Sequence, residues 1–558
     1  MNGKGLMKKV LKWIGIVLTS VIVIIIGIIA YILISHGRYG WYASGGPIPE
    51  NQAAYDVIYY NIDLEVLAEK KSLAGAVGVK VKSLVPELAR LELDLTGHFK
   101  VSQVTAAQGS PLTFKHRRGK LLIDLNPPVS MDELVDVTIH YSGKPMIALR
   151  PPWIGGFNWS KDSTGADWIG LSCQGEGGKI WFPCKDHPSD KPDSVAINIT
   201  IPEPYYCASN GLLRDISTPR EGFLTYHWFT GYPIHNYNVN ISIAQYEILE
   251  KEYLTEEGHV MPVFFYHLPQ SADGAEKLLD MAIDMLYTYR RYYGEYPFTR
   301  EKFAIVETDY LGMEHQTINA YGNRYRYYKL DSLEWDWLML HEMGHEWWGN
   351  KVSLKDWADM WIHEGICTFG EALYLREKGG EKAYHDHIQR IKRGIANKKP
   401  IIPKRDADSH EVYHGDIYKK GAHLMHTLRF LLGDSVFFST LKEFATDPAY
   451  TYQNMVVTDD FLNLIDKNST EDYRAFLSDF LYTTRLPAVQ VDSLGDNRYA
   501  ISIPNIDYTL PMEVTLDQDI LRIRLSKNPF EVYSATPPIV DPRGWFLKQG
   551  FDKAEHAR

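Results

Sequence analysis

Cysteine is scarce in this sequence, and basic residues do not outnumber acidic ones. Only four of the 558 residues are cysteines, too few for a disulfide-built scaffold, and no C-x-x-C pair is present. The sequence leaves open whether two of them form a disulfide. Lys and Arg number 59 against 70 Asp and Glu, a net charge of -11. Nucleic-acid-binding proteins usually carry a basic surface, so we expect no nucleic-acid partner. The cysteines are Cys173, Cys184, Cys207 and Cys367.

The sequence contains no internal repeats, and its low-complexity sequence is confined to one apolar segment near the N-terminus. Hydrophobic residues make up 45% and charged residues 23% of the chain. These values are typical of globular proteins and exclude disordered, collagen-like and coiled-coil classes. At about 150 residues per domain the length predicts three or four domains. We therefore expect three packed units besides the apolar segment.

The apolar segment, residues 13–34, carries no charged residue. As a helix rising about 1.5 Å per residue it can cross a hydrocarbon core of about 30 Å. Four lysines precede it, whereas only Arg38 follows closely, so the positive-inside rule predicts a cytoplasmic N-terminus and an extracytoplasmic remainder, periplasmic or extracellular. A cleavable signal peptide is the alternative, but its apolar core normally spans about 7–15 residues, which favours a retained anchor. The lysines are Lys4, Lys8, Lys9 and Lys12.

Short runs of alternating apolar and polar residues, separated by Gly, Pro and Asn clusters, extend from Tyr55 to about Leu249. Such runs predict an antiparallel β domain, which we place at residues 39–252 after an anchor region at 1–38. Alternation returns after Leu486. We therefore predict a small C-terminal β domain at residues 487–558.

A mixed α/β domain is predicted between these two units, at residues 253–486. Apolar residues after Asp273 recur at three-to-four spacing, which predicts a helix capped by Asp273. A strand is expected at Phe303–Thr308. Further helices are expected over Leu333–Trp347 and Trp361–Glu377.

The strongest chemical signal is the string HEMGH, which lies inside the helix predicted over Leu333–Trp347. The i,i+4 spacing of His341 and His345 places both imidazoles on one face, where they can bind one Zn²⁺ at about 2.0–2.1 Å. Glu364 follows after eighteen intervening residues, and a helical hairpin of that length could return its carboxylate as the third ligand. Two His and one Glu leave the fourth position to water. Glu342 can then take a proton from that water as general base.

The HExxH string by itself is only suggestive, because it also arises by chance in chains with many histidines. The added Glu364, at a suitable return distance and on a second helix, makes coincidence improbable. Glu371 lies seven residues further on the same helical face. It would either orient a metal-binding imidazole or face solvent.

HEMGH and the WADMWIHEG segment that carries Glu364 resemble the HExxH-x18-E arrangement of the aminopeptidase N family of zinc metallopeptidases, which also contains leukotriene hydrolases. Upstream, LGMEHQ resembles the family's GxMEN substrate loop. That likeness implies that Gly312 and Met313 line the substrate and that Glu314 binds its free α-amino group. His315 stands where the family has Asn.

Two further segments carry the resemblance. DIYKKGA is similar to the family's Tyr-x-Lys-Gly segment, which implies that Tyr418 hydrogen-bonds the oxyanion. SCQGEGGKIWFPCKD is similar to the stretch that sends a Gln or Glu into the cleft, which implies a substrate contact by Gln174, with Glu176 as a second candidate.

The resemblance implies a multidomain protein with one Zn²⁺ per chain. The N-terminal transmembrane helix and antiparallel β domain are followed by a thermolysin-like α/β catalytic domain and the small C-terminal β domain. The large helical C-terminal domain of many members is expected to be absent. Nothing in the sequence indicates an oligomeric state.

Three functions stay open from the sequence. The leading one is a membrane-anchored zinc aminopeptidase that acts on peptides with a free N-terminus. A thermolysin-type endopeptidase would use the same three metal ligands. A catalytically silent binding or scaffold ectodomain is the third, although all the expected site residues are present, among them Glu342 and Tyr418.

Overall fold

The computed structural model describes residues 3–39, 42–330 and 333–550, and it divides into two compact units, Met1–Ala43 and Ser44–Arg558. The outer ends of the predicted first and last domains, residues 1–2 and 551–558, lie outside the described residues. The subdivision of the second unit into three domains stays a prediction.

The first unit consists of helix α1 (Gly3–Tyr39). Within the described residues one helical stretch, Lys12–Ala30, is long and apolar enough to cross a membrane, with a mean hydropathy of 2.8. Its side chains are exposed except that of Ala30, which is half-buried. By length and composition, the same stretch could instead act as a signal sequence.

The second unit begins with α2 (Glu50–Ala53) and a β-rich region. Its strands are β1 (Tyr55–Leu67), β2 (Ser72–Ser83), β3 (Leu88–Asp94), β4 (Phe99–Ala106), β5 (Phe114–Arg117), β6 (Lys120–Val129), β7 (Leu134–Gly143), β8 (Gly156–Lys161), β9 (Asp167–Ser172), β10 (Ser194–Pro202), β11 (Tyr206–Ser209), β12 (Leu212–Arg220), β13 (Phe223–Thr230) and β14 (Ile241–Ala244). Alternation sets which side chains face inward: Ile62, Leu64 and Val66 of β1 are buried, whereas Asp63 between them is exposed.

These strands form a seven-stranded sheet in the order β12-β13-β10-β1-β2-β7-β4, a four-stranded sheet β11-β14-β9-β8 and a three-stranded sheet β3-β6-β5. Among the described residues of this region, every strand pair is antiparallel except β1 with β10, which is parallel. The expected antiparallel domain is therefore right in kind but contains one parallel pairing.

The following region is rich in helices. Its elements are β15 (Glu247–Leu254), β16 (Val260–His267), α3 (Ala272–Tyr293), β17 (Phe303–Glu307), β18 (Gly312–Met313), β19 (Asn319–Tyr321), β20 (Tyr328–Leu330), β21 (Leu333–Trp335), α4 (Trp337–Gly344), α5 (Trp361–Arg393), α6 (Ser409–Val412), α7 (Gly415–Leu432), α8 (Asp434–Thr446), α9 (Thr458–Asn468) and α10 (Arg474–Tyr482). A mixed sheet in the order β15-β16-β17-β19-β18 accompanies the helices.

Two local predictions for this region are wrong. The helix expected from Leu333 starts at Trp337, because Leu333–Trp335 pairs with Tyr328–Leu330 as a hairpin and Asp336 caps the helix. Asp273 lies in the first turn of α3 and is not its cap; the residue before the helix is Ser271. Single-sequence patterns fix the ends of helices less well than their existence.

Helices α5 and α7 approach each other closely at two glycines. A Cβ added to Gly365 would lie 2.8 Å from the Cα of Gly421, and one added to Gly421 would lie 2.9 Å from the Cα of Gly365. Side chains at either position would therefore force the helices apart. This contact brings the start of α5, with Glu364, beside the start of α7, with Tyr418.

Helix α5 is broken at Gly380, whose φ of 72° and ψ of -172° are not helical. Residues that carry a Cβ rarely adopt this conformation. The chain therefore changes direction here and the second half of α5 leaves the line of the first. The consequence for the site is that residues far apart in sequence along α5 can meet.

The last described part of the chain forms two small sheets. The strands are β22 (Gln490–Gly495), β23 (Arg498–Ser502), β24 (Leu510–Leu516), β25 (Asp519–Leu525), β26 (Phe530–Tyr533) and β27 (Ile539–Val540). Their orders are β22-β23-β26 and β25-β24-β27. All four cysteines are buried and free within the described residues, so the structure does not contain the disulfide that the sequence left open.

Candidate active site

Helix α4 contains the first four residues of HEMGH, and its start is fixed by a buried carboxylate. Asp336 accepts a hydrogen bond of 2.9 Å from the backbone N–H of Met339 and one of 2.7 Å from the hydroxyl of Tyr321. Such a cap satisfies a free N–H of the first turn. His341 then lies inside the helix and His345 one residue beyond its end.

Three side chains meet at the C-terminal end of α4. The Nε2 atoms of His341 and His345 lie 3.3 Å apart, and each lies 3.3 Å from Oε2 of Glu364. The ligand atoms thus form an equilateral triangle. In a tetrahedral site with bonds of about 2.0–2.1 Å, ligand atoms are about 3.3–3.4 Å apart. The triangle therefore has the dimensions of three corners of a zinc site.

The hydrogen bonds of the two imidazoles also fit a metal. Nδ1 of His341 lies 3.2 Å from Oε1 of Glu371, and Nδ1 of His345 lies 3.0 Å from the carbonyl oxygen of Trp348. Both partners are acceptors, so each Nδ1 carries the proton and each Nε2 keeps its lone pair toward the triangle. The donor set, its spacing and its tautomers fit one zinc ion.

The charge balance of the triangle favours a cation. Burial lowers the pKa of His341, but its hydrogen bonds to Glu364 and Glu371 outweigh burial and hold that pKa well above the usual range. Burial raises the pKa of Glu364, yet the neighbouring imidazoles hold it below the usual range. The cluster therefore attracts positive charge, whether protons or a divalent metal ion.

Glu342 is buried beside the triangle. One of its carboxylate oxygens lies within 4.8 Å of a carboxylate oxygen of Glu314 and of a ring nitrogen of His345. Gly312 packs against it, because an added Cβ would collide with the Glu342 carboxylate and would lie 2.7 Å from Leu338. Burial raises the pKa of Glu342 to about 8. A divalent cation bound at the triangle would lower this pKa and favour the carboxylate form, which can accept a proton.

Glu314 is a second buried carboxylate near the triangle. Its Oε1 accepts hydrogen bonds of 2.5 Å from Nε2 of Gln174 and 3.1 Å from the hydroxyl of Tyr237. Nε2 of Gln174 also lies 3.4 Å from Oε1 of Glu364. Burial raises the pKa of Glu314 above its usual range. One amide therefore links the metal-ligand carboxylate to the neighbouring carboxylate.

Glu176 lies on the same loop as Gln174 and is buried. Its Oε1 accepts the backbone N–H of Gly155 at 3.0 Å, while its Oε2 has no hydrogen-bond partner among the described residues. Burial raises the pKa of Glu176 to about 7. The contacts of Glu176 are with Gly155 and do not join it to the triangle or to Glu314, so its role as a second substrate contact stays a prediction.

The loop that bears Gln174 and Glu176 is held by the first residues of the second unit. The carbonyl oxygen of Gly175 accepts hydrogen bonds of 2.9 Å from the N–H of Ser44 and 2.5 Å from the hydroxyl of Ser409. The N–H of Ser409 in turn donates to the carbonyl of Ser44 at 3.0 Å. Two chain segments, at Ser44 and at Ser409, thus fix the position of this loop.

Tyr418 lies on the other side of the triangle. Its ring stacks with that of His341 at 5.8 Å between centroids. Its hydroxyl lies 2.6 Å from the hydroxyl of Tyr413. Burial raises the pKa of Tyr418 well above its usual range, so the phenol keeps its proton and can donate it.

The structure brings together most of the residues that the sequence singled out. His341, His345 and Glu364 form the triangle, and the others gathered around it are Glu342, Glu314, Gln174, Gly312 and Tyr418. Met313 is buried and pairs with Ala320 between β18 and β19, and its role as a substrate contact stays a prediction. Glu371 contacts His341 instead of solvent.

Sequence reasoning missed Tyr237, Tyr413 and His387. Tyr413 precedes Tyr418 by five residues and lies just before the helix that carries it, so a second tyrosine this close in sequence was a usable signal. Tyr237 comes from the β-rich region, and His387 reaches Glu371 only through the break at Gly380. No local pattern could have predicted either contact.

The burial of His315 leads us to expect that the protein loses stability in acid. His315 is fully buried, both ring nitrogens lack a hydrogen-bond partner among the described residues, and burial lowers its pKa to about 3. The unfolded chain protonates this ring below about pH 6.5. The neutral ring therefore makes its full contribution to the free energy of unfolding above pH 6.5. As the pH falls from 6.5 toward 3, that contribution decreases by about 1.4 kcal/mol per pH unit.

Replacing His315 by Asn, the residue at this place in the family's loop, is expected to remove that share of the pH dependence. Urea unfolding at pH 7.5 and 5.5 measures it: the wild type should lose about 1.4 kcal/mol more than His315→Asn between the two. Other buried histidines contribute equally to both proteins and cancel. Equal losses would show that His315 does not titrate in this way.

Comparisons with known proteins fit this site. Residues 57–237 match the Peptidase M1 N-terminal domain and residues 278–480 match the Peptidase family M1 domain. Endoplasmic reticulum aminopeptidase 1 of Homo sapiens is 24% identical over 440 residues, which are 73% of this chain and 46% of that protein. Aminopeptidase N of Lactococcus lactis is 30% identical over 177 residues, 28% of this chain and 20% of that protein.

Among solved structures, the M1 zinc metallopeptidase from Deinococcus radiodurans superimposes with a TM-score of 0.65 at 22% identity, over 78% of this chain and 95% of that chain. A mutant of that enzyme bound to a Tyr-Ser-Ala substrate gives the same TM-score. These likenesses establish the fold. The chain spans less than half the length of the two aminopeptidases that it matches.

Proposed function

The chain belongs to peptidase family M1, and we propose that it is a zinc aminopeptidase, which removes residues one at a time from the free amino end of peptides. The observation that carries this proposal is the single amide of Gln174, which lies 2.5 Å from Glu314 and 3.4 Å from Glu364. The carboxylate that would bind an amino terminus is thereby held at a fixed distance from the metal ligands.

An exopeptidase must distinguish a charged chain end from an internal peptide nitrogen. The buried carboxylate of Glu314 does this, because an ammonium group pairs with it whereas an uncharged amide leaves it unpaired. Gln174 orients the carboxylate by donating its amide N–H, and Glu176 offers a further acceptor oxygen. Since the amine is fixed at one place, only the first peptide bond reaches the reacting groups. Trimming by one residue follows.

His341, His345 and Glu364 would hold the zinc ion. When bound, zinc supplies a Lewis acid that makes a water molecule acidic near neutral pH and polarises the scissile carbonyl. The carboxylate of Glu342 takes the proton of the attacking water and afterwards passes it to the nitrogen of the leaving amine. The hydroxyl of Tyr418 donates a hydrogen bond to the carbonyl oxygen as negative charge develops there.

The apolar stretch in α1 supports membrane attachment. We propose that it is a retained single-pass anchor, with the N-terminus in the cytoplasm and the site in the periplasm or outside the cell. Its length and its exposed apolar side chains support this proposal, and the four preceding lysines support the orientation. We likewise propose domain limits at residues 1–38, 39–252, 253–486 and 487–558, with a thermolysin-like catalytic third part.

The proposal is tested on the full-length chain in detergent. Zinc-loaded protein should hydrolyse aminoacyl fluorogenic amides, and a chelator should abolish this activity. The kcat/KM for a free-amine peptide should exceed that for its N-acetylated form by about 10- to 100-fold, because a hydrogen bond to a charged group is worth about 1.5–3 kcal/mol.

Two outcomes would contradict this assignment. Equal hydrolysis of the acetylated and free peptides would favour a thermolysin-type endopeptidase and refute the role of Glu314. Protein that binds no zinc and cleaves no aminoacyl substrate would favour a binding or scaffold ectodomain. A Glu314→Gln variant is the matched control, since it keeps the size of the side chain and removes its charge.

A further inference from the structure

A chain of hydrogen bonds extends from His341 of the triangle to a second buried histidine. Oε1 of Glu371 lies 3.2 Å from Nδ1 of His341, and Oε2 of the same carboxylate lies 3.2 Å from Nε2 of His387. All three side chains are buried. The metal ligand His341 is therefore connected through one carboxylate to a second histidine that does not touch the triangle.

The path of α5 makes this contact. Glu371 and His387 are sixteen residues apart in one helix assignment, and in a straight helix they would be separated by about 24 Å along the axis. The break at Gly380 turns the second half of the helix back. Nothing lies within 4 Å of a Cβ added at Gly380, so its positive φ, and not crowding, favours glycine there.

The protons in this chain follow from its acceptors. Glu371 has two oxygens and no proton to give when ionised, so His341 donates from Nδ1 and His387 donates from Nε2. The first of these bonds leaves the Nε2 lone pair of His341 directed to the triangle. The second bond gives the other Glu371 oxygen a donor, without which that buried oxygen would be unpaired.

We propose that His387 is a positioning residue for the zinc site, acting through Glu371 on the ligand His341. Its hydrogen bond holds the Glu371 carboxylate in the orientation that accepts the Nδ1 proton of His341. The proposal rests on the proposed function in one respect, namely that the triangle holds zinc. The edge of the Trp335 ring packs on His387 at 5.8 Å between centroids and limits its rotation.

A substitution pair separates the hydrogen bond from simple packing. His387→Gln places an amide nitrogen close to the position of the histidine Nε2 and can still donate to Glu371. His387→Leu has a similar volume and cannot donate. Outer hydrogen-bond partners of metal ligands are typically worth about 10- to 100-fold in metal affinity.

The experiment measures the zinc dissociation constant of the full-length protein by competition with a chelating dye. His387→Leu should bind zinc about 10- to 100-fold more weakly than the wild type, and His387→Gln should stay within about threefold of it. His426→Gln is the control, because His426 is another buried histidine of this region and its Nδ1 lies 2.8 Å from the hydroxyl of Tyr384. Its zinc affinity should equal that of the wild type.

The outcomes are distinct. Wild-type affinity in His387→Leu, or an equal loss in His387→Leu and His387→Gln, would overturn the proposal. Wild-type protein without stoichiometric zinc would instead contradict the proposed function. If His387→Leu does not fold, His387→Asn replaces it, since its amide stops about one bond short of Glu371: weaker zinc binding than His387→Gln supports the proposal, and equal binding overturns it.

Discussion

Glu342→Gln is expected to lower kcat by about 10²- to 10⁴-fold, the range typical of a general acid or base. Gln has the same shape as Glu, but its amide cannot take a proton from water. Glu342 is buried within 4.8 Å of both Glu314 and His345, so the substitution removes the proton acceptor nearest to the proposed reacting groups. Gln keeps the size of the side chain and adds no buried charge, so the fold should tolerate the amide.

Steady-state kinetics on an aminoacyl amide, with zinc content measured on the same preparation, test this expectation. Zinc should stay at one ion per chain, because Glu342 is not part of the triangle, and KM should change little. Glu342→Asp is the comparison variant: it keeps the carboxylate but withdraws it by one bond, so its kcat should lie between the two. A Glu342→Gln variant with kcat within tenfold of the wild type would contradict the assignment.

The part of the site that was predictable from the sequence is the part that local geometry determines. The i,i+4 rule alone puts His341 and His345 on one face of a helix, and the amphipathic text around Glu364 predicts a second helix. The aminopeptidase N family resemblance is confirmed by the matches to both M1 domains. The β-rich N-terminal region and the helical region after it were also predictable, because their periodicities of two and 3.6 are properties of the chain.

The remaining contacts depend on tertiary structure. Tyr237 reaches Glu314 from a different region of the chain, and no spacing rule connects the two residues. His387 reaches Glu371 because a single glycine adopts a positive φ. Helix α4 begins later than its apolar periodicity predicts, because Leu333–Trp335 forms a hairpin strand and Asp336 caps the first turn.

The role of Tyr418 could be predicted only from the family resemblance, because its position depends on how two helices pack. Tyr418 lies near His341 because α7 crosses α5 where Gly365 and Gly421 face each other. The sequence contains both glycines, but only the structure shows that they form a pair. The same crossing sets the distance between the Tyr418 hydroxyl and the zinc ligands, and so it decides whether that hydroxyl can act on a substrate.

Tyr418→Phe is expected to lower kcat by about 10²- to 10³-fold, the usual cost of removing one oxyanion donor. The Phe ring can keep the stacking on His341, and only the hydroxyl is lost. Burial keeps the Tyr418 phenol protonated, so in the wild type it can donate throughout the neutral pH range. Because the bond strengthens only as charge develops on the substrate oxygen, kcat and kcat/KM should fall together while KM stays near its wild-type value.

Tyr413→Phe is the matched control for this variant. It removes the hydroxyl that lies 2.6 Å from that of Tyr418 but leaves the Tyr418 hydroxyl in place, so its loss in kcat should be smaller. Both variants should bind one zinc ion per chain, since neither hydroxyl belongs to the triangle. Wild-type kcat in Tyr418→Phe, or a larger loss in Tyr413→Phe than in Tyr418→Phe, would assign the oxyanion to another donor, with the Tyr413 hydroxyl as the nearest alternative.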